Sequence, residues 1–155
     1  MNKNVIPIKI HMCDDDPDDQ LLVSDALEEA SLGNPIDFTL NGKELLQYLN
    51  REAAYSHLVE EPLPGLILLD LNMPVMDGRE VLAKLKKHEK FCSIPIIVLT
   101  TSKADTDIAQ TYDMGSNSFI IKPVSFDNLV EMMKSITYYW FNLVSLPKTL
   151  DSKKY

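Results

Sequence analysis

Two runs in this chain are apolar at almost every position: Leu66 to Leu69, and Ile94 to Leu99, which is broken only by Pro95. A surface strand or helix keeps one polar face, so a short run with no polar face belongs to a strand covered on both sides. That requires a parallel sheet between two layers of helices, and the rest of the chain supplies the parts. Further strand candidates are Ile8–Cys13 (IKIHMC), Ile36–Leu40 (IDFTL) and Ser118–Pro123 (SFIIKP). IDFTL alternates with period two, which leaves it one polar face. Pro123 closes the last run because proline has no N–H for the ladder.

Helical patterns fill the intervals. Asp16 reads as an N-cap with Pro17 at the first helical position; Leu22, Ala26, Leu27 and Ala30 recur on one face, and Gly33 closes the unit. Lys43–Asn50, Arg79–Lys87 and Ala104–Met114 are three more helices, and Phe126 to Val144 is the longest. Asp77 and Gly78 form a turn into the third helix. Arg51–Pro64 reads as a helix extension plus loop, and the segment after Pro147 as a frayed tail. The expectation is an α/β fold: a doubly wound, five-stranded parallel sheet with five helices, the last one extended. The 155 residues make one domain, with a core over about 8–144 and a tail over 145–155. Right-handed crossovers leave few strand orders open, and the sequence does not choose among them.

The residues that end the strands are of another kind from those within. The first run ends in Asp14 and Asp15, the third in Asp70, the fourth in Thr100 and the fifth in Lys122. In an open α/β sheet these positions share one edge, where such folds place their sites. Two unit charges ~4 Å apart repel by roughly 4 kcal/mol at an effective dielectric near 20, so three carboxylates there need a cation. Few, hard oxygen ligands suit Mg²⁺, which keeps waters and favours phosphate. Lys122 brings a point charge for phosphate oxygens, and the Thr100 hydroxyl a hydrogen-bond donor. A carboxylate nucleophile, a divalent metal, a lysine and a hydroxyl together make a phosphoryl-accepting site.

With Asp14-Asp15, DLNMPVMDG from Asp70, Thr100-Thr101 and Lys122-Pro123 in that order, the chain resembles the receiver domains of two-component response regulators over roughly Ile8 to Val144. The resemblance implies a flavodoxin-like fold and Asp70 as phosphoacceptor, with a sensor histidine kinase as donor. It also implies Mg²⁺ held by Asp15, Asp70 and the Asn72 backbone carbonyl, with Asp14 acting through water. Phe119 falls at the family's switch aromatic, paired in function with Thr100, although a buried core position is an alternative for it. Asn72 and Ser102 would flank the phosphoryl group and tune a self-catalysed hydrolysis. The DDDPDD opening, the longer segment before the third strand, LTTS and the terminal SITYYWFNLVSLP are similar to single-domain regulators that partner phytochrome-type kinases.

Other function classes fit less well. An aspartyl-phosphate phosphatase of the haloacid-dehalogenase type usually carries a second Asp two positions after the nucleophile, where this chain has Asn72. A non-phosphorylated flavodoxin-like interaction module would not need the acidic set. A net charge of −8 opposes a nucleic-acid surface. His11 with Cys13, and His88 with Cys92, lack the paired spacing of zinc sites. Two cysteines in separate segments, no apolar run near ~20 residues, and an opening (MNKNVIPIKI) too short and broken for a signal peptide lead to the expectation of a cytoplasmic protein without a membrane span.

Along the terminal helix, Phe126, Leu129, Met133, Ile136, Trp140 and Leu143 form a stripe toward the sheet, with Val130, Tyr138, Tyr139 and Phe141 largely off it. That is more aromatic surface than one face buries, and it leads to the expectation of a homodimer through this helix.

Overall fold

A computed structural model describes residues 7–147. Five parallel strands, β1 (Ile10–Cys13), β2 (Ile36–Thr39), β3 (Leu66–Leu69), β4 (Ile96–Thr100) and β5 (Ser118–Ile121), lie in the order β2-β1-β3-β4-β5. The expected frayed tail after Pro147 lies outside the described residues. Among the described residues no helix is long and apolar enough to cross a membrane.

Alternation along the central strands divides the core in two. Leu66 and Leu68 face one layer with Ile10, Met12, Ile97 and Leu99, against α1 (Pro17–Glu29) and α5 (Phe126–Tyr138). Ile67 and Leu69 face the other with Cys13 and Ile96, against α2 (Gly42–Asn50) and α3 (Gly78–Lys87). Each fully buried aliphatic side chain contributes about 1.5–3 kcal/mol, so the apolar runs alone commit β3 and β4 to the interior. α4 (Asp105–Asp113) packs beside β5 at the sheet's edge.

The elements fall where the patterns placed them, with shifted ends. β1 starts at Ile10 and β4 at Ile96, where the Ile10 amide donates to the Pro35 carbonyl (2.9 Å) and the Ile96 amide to the Asn117 side chain (2.8 Å). α1 ends at Glu29 with Ala30 as cap, short of Gly33. The expected extension of α2 is absent: Arg51 is left-handed (φ 58°) and stops the helix, and a 3₁₀ turn follows over Ala53–Leu58.

The terminal helix differs most. It reaches Val144 as expected but changes type: α5 ends at Tyr138 and a π-helical turn continues it over Tyr139–Leu143, closed by the Val144 amide on the Tyr139 carbonyl at 3.0 Å. The wider turn lets the adjacent Trp140 and Phe141 both pack against the core. Leu129, Met133 and Ile136 are buried as expected, but Phe126 and Leu143 are exposed, and Val130 joins the core at 7% exposure. Tyr138 and Tyr139 do stand out in solvent.

Candidate functional site

The chain reverses direction across the sheet between β1 and β3, and the carboxyl ends of these two neighbours carry the acidic residues. Asp14 follows β1 with its side chain fully buried; its amide donates to the Thr39 carbonyl at 3.1 Å, and its Oδ1 accepts the Asp16 N–H at 2.9 Å. Asp16 in turn caps α1 by accepting from the Asp18 amide, with Pro17 at the first turn. The Gln20 amide group reaches back from α1 to the carbonyls of Asp14 (2.8 Å) and Thr39 (3.1 Å), pinning the helix to the ends of β1 and β2.

Asp70 extends the β3 ladder by donating its amide to the Cys13 carbonyl at 3.0 Å. One oxygen, Oδ1, accepts from the Leu71 amide (2.8 Å), which turns Oδ2 toward Lys122. The loop that follows is held tight: the Gly78 amide donates to the Leu71 carbonyl at 2.8 Å, and Asp77 caps α3 through the Arg79 amide. A Cβ on Gly78 would strike the Asp70 carbonyl oxygen, so glycine is required there for close approach.

Across the site, the Lys122 amide donates to the Thr100 carbonyl at 2.8 Å, which fixes the lysine just beyond β5. Its Nζ lies 2.6 Å from Asp14 Oδ2, 2.7 Å from Asp19 Oδ2 and 3.7 Å from Asp70 Oδ2. Burial pushes the Asp14 carboxyl up to about 6 against the pull of Lys122. Burial would lower the Lys122 ammonium, but its hydrogen bonds to Asp14 and Asp19 outweigh that and raise it.

Asp14, Asp15 and Asp70 each present an oxygen within 4.8 Å of the others. With Asp19 they make four carboxylates against one ammonium, and three of them, Asp14, Asp19 and Asp70, lie within 4 Å of it, a strong excess of negative charge. A hard divalent cation fits this donor set. A second feature points to a ligand with acceptor oxygens: the Thr100 hydroxyl at the end of β4 is fully buried and has no hydrogen-bond partner among the described residues.

The fold therefore brings Asp14, Asp15, Asp70 and Lys122 together, with Thr100 beside them. Asn72 is exposed in the loop two residues after Asp70. Phe119 is half-buried on β5 opposite Val98, and strand alternation puts it on the same face as Thr100. Ser102 is occupied elsewhere: its hydroxyl donates to Asp107 Oδ2 at 2.6 Å, and Asp107 binds Arg79 at 2.7 Å, clasping α4 to the start of α3. Sequence reasoning missed this clasp, Gln20 and Asp19. Asp19 lies in the first turn of α1, three residues after the Asp16 cap, and the DDDPDD run that contains it was the available signal.

A match to the response regulator receiver domain family spans residues 10–134. The chain belongs to that family. Response regulator Rcp1 of Synechocystis sp. is 33% identical over 91% of this chain and 94% of its own length. The Mn²⁺-bound crystal structure of Rcp1 superposes with a TM-score of 0.80, covering 91% of this chain and 99% of that one. The phosphorylated cyanobacterial phytochrome response regulator RcpA superposes with a TM-score of 0.83 at 34% identity, over 92% and 99% of the two chains. As in those neighbours, the sheet of this receiver domain is the five-stranded, flavodoxin-like one.

Proposed function

We propose that Asp70 accepts a phosphoryl group from the phosphohistidine of a sensor histidine kinase. The observation that carries this is the convergence of Asp70 Oδ2 and Lys122 Nζ, 3.7 Å apart, on the end of the sheet where the Thr100 hydroxyl is unpartnered. Asp70 Oδ2 attacks phosphorus in line, the P–N bond breaks, and the electron pair leaves with the imidazole. Lys122 meets the negative charge on the transferring oxygens, and the product is an acyl phosphate. Asp15, Asp70 and the Asn72 carbonyl would hold Mg²⁺ directly and Asp14 through water; when bound, the ion neutralises phosphoryl charge.

The phosphoryl group adds about −1.5 to −2 charges, and the Thr100 hydroxyl donates to one of its oxygens. Phe119, on the same face, fills the space Thr100 vacates. A swing from 1:99 to 99:1 takes about 5.5 kcal/mol, which two or three charge-assisted hydrogen bonds can supply. Hydrolysis of the acyl phosphate, tuned by Asn72, resets the switch, so the catalysis is self-directed. The Ser102 hydroxyl contributes only if Asp107 releases it.

The kinase is of the phytochrome type, a reading supported by the likeness to Rcp1 and RcpA. Output runs through protein contacts in the cytoplasm rather than nucleic acid, in keeping with the net charge of −8. Exposed Tyr138, Tyr139 and Leu143 support a homodimer through the C-terminal helix.

Labelling with a small phosphodonor and Mg²⁺ tests the centre of this reading. The native chain should take up one phosphoryl group and Asp70→Asn none; uptake that survives the substitution removes Asp70 from its role.

A further inference from the structure

Lys122 is the cation the proposed chemistry needs at the phosphoryl group, yet its ammonium lies closer to two other carboxylates than to Asp70. Asp14 pairs with it at 2.6 Å and Asp19 accepts one of its N–H groups at 2.7 Å, while Asp70 stands off at 3.7 Å. Asp19 belongs to α1 rather than to a strand end, and the mechanism above does not use it. Its contact with Lys122 spans 103 positions of sequence and joins the first turn of α1 to the end of β5.

Resting on the phosphoacceptor reading, we infer that Asp19 is a positioning residue acting through Lys122: it draws the ammonium toward α1, leaving the Asp15 and Asp70 oxygens open to the metal, and yields it to the phosphoryl group. Without the Asp19 charge, Lys122 leans toward Asp14 and Asp70 and competes with a cation for their oxygens. Once the metal is in place, the same lysine has one competitor fewer and passes more readily to an incoming anion. The two ligands therefore respond in opposite directions. A purely structural role for Asp19, as one of two acids favouring the α1 N-terminus, would weaken both or neither. A simple field effect would be shared by Asp18, the neighbouring acid in the same turn.

The experiment measures Mg²⁺ affinity of the metal-free chain by calorimetry, and beryllofluoride affinity at saturating Mg²⁺, for native protein, Asp19→Asn, Asp19→Glu and Asp18→Asn. Asp19→Asn should weaken Mg²⁺ and tighten beryllofluoride, each by about threefold to tenfold, with partial return in Asp19→Glu and changes within about twofold in Asp18→Asn. In a Lys122→Met background, Asp19→Asn should shift Mg²⁺ affinity by less than about twofold. Loss of affinity for both ligands, equal effects from Asp18→Asn, or an effect that survives removal of Lys122 overturns the inference. Native protein that takes beryllofluoride through Asp70, with Asp19→Asn moving neither affinity, leaves the phosphoacceptor reading standing and removes Asp19 alone. A native chain that binds no beryllofluoride, or binds it equally as Asp70→Asn, overturns both.

Discussion

Thr100 carries a hydroxyl that the fold buries and leaves without a partner. Such a group ordinarily costs stability, about 1–3 kcal/mol where no partner exists, so its persistence fits a hydroxyl reserved for a ligand. Thr100→Val keeps the shape and removes the hydroxyl. In urea denaturation of the metal-free chain the variant should be as stable as the native protein or more stable by up to about 1 kcal/mol, while its beryllofluoride affinity falls. A variant that loses stability without losing affinity would make Thr100 an ordinary strand end. The residue type and its place after an apolar run were visible in the sequence. That none of the described residues bonds to its oxygen was not, because that depends on every neighbour at once.

At the scale of elements, the polar face anticipated for β2 has a specific use. Asp37 and Thr39 meet the fully buried His11 of β1 at 2.5 and 2.9 Å, Tyr48 of α2 donates to Asp37 at 2.8 Å, and the His11 and Tyr48 rings stack at 4.1 Å. Burial pulls the His11 imidazole below its ordinary 6.5, against the hydrogen bond and charge of Asp37. For Asp37, burial alone would raise the carboxyl, but the hydrogen bonds from His11 and Tyr48 hold it low. A histidine with a lowered native value binds protons more readily when unfolded. Its contribution is therefore complete above pH about 6.5 and drains away as pH falls below that. Asp14, pushed up to about 6, works with the opposite sign, so the comparison must be made against a variant. The stability of native protein relative to His11→Asn should shrink as pH drops from about 7 to about 5. A difference independent of pH would show that His11 does not hold this network in its neutral form.

The loop from β3 to α3 is a second element-scale case. Besides striking the Asp70 carbonyl, a Cβ on Gly78 would come within 2.7 Å of Leu71 Cα, and backbone on both sides cannot move without shifting the phosphoacceptor. Gly78→Ala should cost about 1–3 kcal/mol in urea denaturation and slow phosphodonor labelling. An Asp-Gly turn was legible in the sequence; that its glycine backs directly onto Asp70 was not. Nor could periodicity foresee the π turn at Tyr139–Leu143, which arises from fitting two adjacent aromatic rings against one core.

For the whole molecule, the exposed Tyr138, Tyr139 and Leu143 leave apolar surface at one end of α5, and the expected consequence is self-association. Sedimentation velocity at micromolar concentration should show a dimer that Tyr138→Glu with Tyr139→Glu disrupts; a monomer with and without beryllofluoride would exclude it. The sequence alone determined the layers and which residues gather at one edge of the sheet: short, wholly apolar runs between helical patterns read as strands buried on both faces, and the polar residues that end them fall together at the strands' carboxyl ends. Distances belong to the tertiary structure. Strand order, the burial of Asp14, the solitary hydroxyl of Thr100 and the hold of Asp19 on Lys122 all arise where segments up to 103 positions apart pack together. Local patterning carries which face is apolar, but not which polar groups will meet once those faces close.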